Sequence, residues 1–199
     1  MDAQAFLDRV LARVPGRAPS SYHFESWRQG DQPTKEGLGL LPLRDVDPDK
    51  FIACVMDVDH YVGNVDHVLE CRAIADDRYA PPRSVRFYQK INVPMVSKLQ
   101  VELVLEDAGE RDGFRVALWY QLDSETAALN PKQAARGDYN VGCWLVRPDL
   151  AGYALASAPV RKDVGLVKFK ALTKGADAVA PKVFKGNLEG MAAWSRHRS

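Results

Sequence analysis

The sequence predicts an α+β fold, one antiparallel sheet curved around a long C-terminal helix. Three observations carry that prediction. Strand-like runs crowd the middle of the chain, from Ser84 to Val160. Helical apolar periodicity begins at Val164 and holds to the end. Two short helices precede or interrupt the first strands, and nothing repeats along the chain.

Residues 3–14 carry Phe6, Leu7, Val10, Leu11 and Val14 on one helical face. The opposite face lacks the Lys/Arg belt of a membrane-surface helix, so packing on the rest of the domain is expected. Pro15, Gly16 and Pro19 end this helix. Tyr22–Arg28 alternates as a strand, Gly30–Pro33 turns, and Thr34–Leu43 gives a second strand. Asp47-Pro48-Asp49 then supplies an N-cap, a proline at the first helical position and an acid in the first turn. A short helix is predicted near 48–61, burying Phe51, Ile52, Val55 and Met56. Val65–Ala75 reads as extended. Ser84–Val93, Leu99–Glu106 and Phe114–Leu122 follow as strands, with 107–113 as a hairpin loop and 123–138 as a polar connection. Asn140–Arg147 and Tyr153–Val160 complete the sheet. Gly175 and Pro181 predict a break or kink near 174–181 in the last helix. The expected layout is therefore a single unit over 1–199. It comprises an N-terminal helix within 1–19, the sheet over 20–162 and the C-terminal helix over 163–197.

Composition narrows the class. With 46% hydrophobic and 27% charged residues, the chain of 199 residues has the balance of a packed globular protein. A formal net charge of +1 gives no nucleic-acid footprint. No run reaches the length of a membrane span, and the acidic N-terminus does not read as a secretory signal. Three scattered cysteines without a CxxC pair point to reduced thiols and a cytoplasmic protein.

The stretch MDVDHYVGNVDHVLEC, Met56–Cys71, crowds three aspartates, two histidines, a glutamate and a cysteine into 16 residues. It lacks HExxH or CxxC spacing, and a helix-to-strand change at Gly63 would disperse the candidate ligands. No metal and no cofactor are expected. His67 and Cys71, four apart on a strand, would lie roughly 13 Å apart, too far for a thiolate–imidazole pair.

The longer segment DPDKFIACVMDVDHYVGNVDHVLEC resembles a recurring segment of the START-like superfamily (steroidogenic-acute-regulatory-related lipid transfer), also called SRPBCC. Asp47-Pro48 matches the helix start, Asp57 the family aspartate, Tyr61 the aromatic, and Val65, Val68 and Cys71 the following strand. Gly63 and Asn64 stand where the family usually carries a tryptophan. SVRFYQKINVP, GDYNVGCWLVRP and AVAPKVFKGNLEGMAAW are similar to later family segments in the same order, so the resemblance covers about residues 20–197. It implies the helix-grip fold, a lipid-transfer-type domain and an internal cavity. The ligand would be a hydrophobic small molecule, a lipid or a sterol-like compound, bound without chemical conversion. Transfer would bring transient membrane contact, while the oligomeric state stays open. The family also implies two alternatives, a polyketide cyclase or aromatase and a quinone- or protein-delivery partner.

A sheet gripping a helix leaves a gap lined by the inward faces of both. Candidate lining residues are Met56 and Tyr61; Phe87, Val101, Leu103, Trp119 and Trp144 on the sheet; and Phe169, Leu172, Val179 and Val183 on the helix. A cyclase would draw instead on Arg86, Tyr88, Lys90 and Tyr120. Strand alternation places Val85, Phe87 and Ile91 on the inner face, which turns Arg86 and Lys90 outward. Gly165, Gly175, Gly186 and Gly190 are expected to let the last helix bend as a gate, since each interior glycine costs about 1 kcal/mol of helix propensity.

Overall fold

The computed structural model describes residues 2–93 and 97–198, with the side chains of 93, 97 and 172–177 outside the description. Among the described residues, eight strands form one sheet. They are β1 (His23–Trp27), β2 (Glu36–Pro42), β3 (Val68–Ile74), β4 (Ser84–Val93), β5 (Ser97–Arg111), β6 (Phe114–Gln121), β7 (Ala135–Arg147) and β8 (Leu150–Pro159). Their order is β1-β2-β8-β7-β6-β5-β4-β3. Neighbours are antiparallel throughout, and β7 also reaches β5 through a short parallel pairing at Leu99 and Ala135. That pairing lies beyond the end of β6, which covers β5 only from Leu103 onward.

The helices divide between its two faces. α1 (Ala3–Leu11) is capped by Asp2, whose carboxylate accepts from the Gln4 and Ala5 amides. Phe6, Leu7 and Val10 are fully buried among outward residues of β2, β6, β7 and β8, including Leu38, Val116, Cys143 and Leu145. α2 (Pro48–Met56) starts at Asp47, whose side chain accepts from the Asp49 and Lys50 amides, as the sequence predicts. A 3-10 turn, Val58–His60, continues it, and Tyr61 closes that turn. α4 (Arg161–Val164) and α5 (Leu166–His197) are separated at Gly165, whose φ of 78° favours glycine. α5 lies across the inner face, packed on β2, β8 and α2. The inner core unites Phe51, Ile52, Val55, Tyr61, Phe87, Val101, Leu103, Trp119, Trp144, Leu188 and Met191.

Four sequence expectations change. β5 continues through the segment expected as a loop, absorbing one extra residue in a bulge between Asp107 and Gly109. The hairpin turn shrinks to Asp112-Gly113, both at positive φ, which matches strand twist in a two-residue turn. The polar connection holds a short helix, α3 (Asp123–Ala128), and β7 begins five residues before the expected start at Asn140. α5 runs unbroken through Pro181. There the proline carbonyl accepts a 2.8 Å hydrogen bond from the Tyr22 hydroxyl.

Gly186 and Gly190 also gain a different role from the expected bend. A Cβ on Gly186 would meet the Asp66 carboxylate, and one on Gly190 the Asn64 carbonyl. These glycines let α5 seat closely on the loop before β3.

Candidate functional site

Between the inner sheet face and α5 lies a pocket of about 230 Å³. Its wall is built by strand alternation. Odd residues of β4 and β5 point inward, bringing Phe87, Ile91, Leu99, Leu103 and Leu105 to one side. Trp119 of β6, Trp144 of β7, and Tyr153 and Leu155 of β8 form the centre. Val179, Ala180, Val183, Phe184 and Asn187 close it from α5 at spacings of one helical face. Tyr61 and Val65 complete the side nearest α2, and Asp66, His67, Asn92 and Lys98 add a polar rim.

Aromatic contacts organise the centre. Tyr153 lies 4.5 Å from Trp144, 5.5 Å from Trp119 and 4.9 Å from Phe184, ring centre to ring centre. Phe184 meets Phe24 edge-on at 5.2 Å. Trp119 sits over Gly142, where any Cβ would collide with the indole, so only glycine leaves room for it. The Trp119 indole N–H donates to Asn140 Oδ1 at 2.8 Å, and Asn140 Nδ2 reaches Ser157 Oγ at 3.4 Å. The Tyr61 hydroxyl donates to the Val55 carbonyl at 2.5 Å. Burial raises the pKa of both Tyr61 and Tyr153, the latter opposed in part by a hydrogen bond with Asn187. Burial therefore favours the protonated form of both phenols.

The predicted residues distribute as follows. Tyr61, Phe87, Leu103, Trp119, Trp144, Val179 and Val183 stand on the pocket wall. Val101 is fully buried in the inner core and off the wall, close to Gly137. Met56 packs against the core edge from the end of α2. Phe169 is half-buried near the start of α5 and off the wall. The Leu172 side chain lies outside the described residues. Phe24, Tyr153, Leu155, Phe184 and the polar pair Asn140 and Asn187 also stand on the wall without having been predicted. Extending the Val179–Val183 spacing by one turn would have reached Asn187.

The cyclase candidates face away from the pocket. Arg86 holds Asp76 at 3.0 Å and Glu102 at 2.7 Å. The Tyr120 hydroxyl donates to Glu106 at 2.9 Å, and Tyr88 approaches Gln100 at 3.4 Å. Lys90 follows Arg86 and Tyr88 on the same outer face of β4.

The acids and histidines of Met56–Cys71 are spread over separate partners. Asp57 bonds His60 at 2.8 Å and Arg198 at 3.0 Å, and the carboxylate raises the His60 pKa. Asp59 accepts from the Ala73 amide, tying the turn to β3. His67 lies 3.6 Å from Asp66. Among the described residues, no three His, Cys, Asp or Glu side chains converge as a metal site would require. Cys54, Cys71 and Cys143 are unpaired and buried, and burial pushes the Cys71 thiol up to about 12.

No family model matches the sequence, and no curated protein matches it in sequence. Solved structures do match in fold. A STAR-related lipid transfer protein from Xanthomonas axonopodis superposes with a TM-score of 0.70 at 13% identity, covering 92% of this chain and 97% of that one. Human StAR-related lipid transfer protein 5 gives 0.71 at 10% identity, over 98% and 94%. The Zhui aromatase/cyclase from Streptomyces gives 0.53 at 13% identity, over 88% and 96%. Eight strands coiled around a long C-terminal helix, superposing along nearly the whole chain, are the START-like, helix-grip fold.

Proposed function

We propose that this protein binds one hydrophobic molecule between its sheet and α5, and carries it without changing it chemically. The observation that carries the reading is the pocket itself. Its centre is apolar and aromatic, formed by Phe87, Leu103, Trp119, Trp144 and Phe184. Burial of ligand surface would supply the affinity at roughly 25 cal/mol per Å². A cyclase acting through Arg86, Tyr88, Lys90 or Tyr120 would hold them against its substrate, and their outward placement weighs against that route.

Transfer calls for brief contact with a membrane. Support comes from Leu166 and Val167, exposed at the start of α5 beside Arg161, Lys162 and Lys168. This pairing of apolar and cationic groups suits an anionic lipid surface. Three unpaired cysteines support work in a reducing compartment such as the cytoplasm. Native mass spectrometry of the purified protein, before and after exposure to a cell lipid extract, tests the reading. A hydrophobic adduct at one per chain is expected, and a protein that stays bare would refute it.

A further inference from the structure

The hairpin β1–β2 has two faces on one backbone, because successive side chains of a strand point to opposite sides. On the outer side, in line with Leu38 and Leu40, Glu36 opens β2 and is fully buried. A buried carboxylate is costly to leave unpaired, and two elements hold this one. Arg9 of α1 donates to both of its oxygens, from Nη2 to Oε1 at 2.7 Å and from Nε to Oε2 at 3.3 Å. Trp27, opposite Glu36 on β1, donates its indole N–H to Oε2 at 2.8 Å. Arg9 Nη1 donates to the Ala5 carbonyl, which steadies the guanidinium on its own helix. Arg13, one turn on, lies over the Trp27 ring at 4.1 Å.

The alternate residues of the same two strands belong to the pocket. Phe24 pairs with Gly39 and Ser26 with Gly37. Phe184 of α5 lies against both glycines, where an added Cβ would come within 3.0 Å of it at Gly37 and 3.1 Å at Gly39. Phe184 also meets Phe24 edge-on and packs on Tyr153 at the centre of the wall. Tyr22, just before β1, donates to the Pro181 carbonyl of α5. One hairpin is thus gripped by α1 from outside and by α5 from inside. Among the described residues, none from α1 stands on the wall.

We propose that α1 sets the pocket's affinity from behind the sheet, with Arg9 and Glu36 as positioning residues that touch no ligand. Their ion pair fixes the β1–β2 hairpin, and the hairpin fixes where Phe24 and Phe184 stand on the wall. Without Arg9 the carboxylate is a buried charge with no counterion, and it regains water only if the hairpin shifts. That shift moves Phe24, Gly37 and Gly39 away from the ring of Phe184. Coupling between two sites is reciprocal, so a filled pocket also holds α1 more firmly. This inference rests on the hydrophobic-ligand reading, and adds to it a control element outside the pocket.

Binding of an apolar probe, 2-methylnaphthalene, tests it by tryptophan quenching. Wild type, Arg9→Met, Arg9→Lys and the double variant Arg9→Met/Glu36→Gln are titrated well below their melting midpoints, so that only folded protein is read. Arg9→Met is expected to bind about tenfold more weakly, inside the range usual for coupled sites. In the double variant no buried charge remains, and the amide oxygen still accepts from Trp27. It is expected to recover to within about threefold of wild type. Arg9→Lys keeps the charge but loses the fork, so it should fall between, and it guards against an Arg9→Met protein that does not fold. Hydrogen exchange of wild type gives the reciprocal readout, with the amides of α1 slowing when the probe is added. Three results overturn the coupling and leave the hydrophobic pocket standing: equal affinity in all the folded proteins, a weakening that the double variant does not recover, or α1 amides indifferent to bound probe. Failure of wild type to bind the probe overturns both.

Discussion

Gly142 shows how one residue shapes the site. It stands opposite Trp119 in the β6–β7 register, and the indole occupies the space a side chain would take. Gly142→Ala should push the indole off Asn140 and cost about 1–3 kcal/mol, the range for overpacking a filled core. Chemical denaturation with tryptophan fluorescence measures it, and an unchanged midpoint would contradict the packing described. The cysteines give a second expectation at this scale. Cys54, Cys71 and Cys143 are buried, with burial raising each thiol's pKa. Native protein at pH 8 should therefore react with a thiol reagent far more slowly than unfolded protein, since the thiolate is the reactive form. Residue roles were legible in the sequence where strand alternation alone decides them, as with Phe87 inward and Arg86 outward. Asn140 and Tyr153 were not, because their roles depend on which strands become neighbours across the sheet.

At the scale of elements, the C-terminal helix is fixed at both ends. Near its start, Arg136 of β7 grips Asp163 of α4 at 2.8 Å, and this hydrogen-bonded pairing lowers the Asp163 pKa. A carboxylate with a depressed folded pKa adds stability above its unfolded pKa, and that stability is lost as pH falls through the folded value. Acidification below about pH 4 should therefore loosen α4 and the start of α5. Asp163→Asn should weaken the latch at neutral pH and flatten this acid response, which hydrogen exchange over 160–171 would reveal. Equal acid sensitivity in both proteins would contradict the latch. At the other end, Gly190 seats α5 against the Asn64 carbonyl. The helix and its apolar face were legible from periodicity. The seating was not, because a glycine's lack of a side chain reads as flexibility until its contact is known. The length of β5 was hidden for a similar reason, since a bulge and a two-residue turn let polar residues continue a strand.

At the scale of the molecule, the sheet sorts its two faces by task. Its outer face is covered over β2 and β6–β8 by α1, with Phe6, Leu7 and Val10 buried there. Its inner face, shared with α5, keeps a pocket. The order of elements was legible because each helix and strand carries its own period and caps. The pocket's boundary was not, because filling a core and lining a gap use the same apolar residues, as Val101 and Leu103 on one strand illustrate. If the helix end meets lipid during transfer, Val167→Asp should reduce co-sedimentation with anionic vesicles several-fold while leaving the fold intact. On the proposed function, the space between sheet and α5 holds the ligand. Replacing Val183 with tryptophan fills that space from the helix side. The direct measurement is stoichiometric binding of a hydrophobic fluorophore to wild type and Val183→Trp, with circular dichroism to verify that both are folded. One site per chain is expected in wild type, with binding weakened tenfold or more in the variant. Equal binding by the two folded proteins would contradict it.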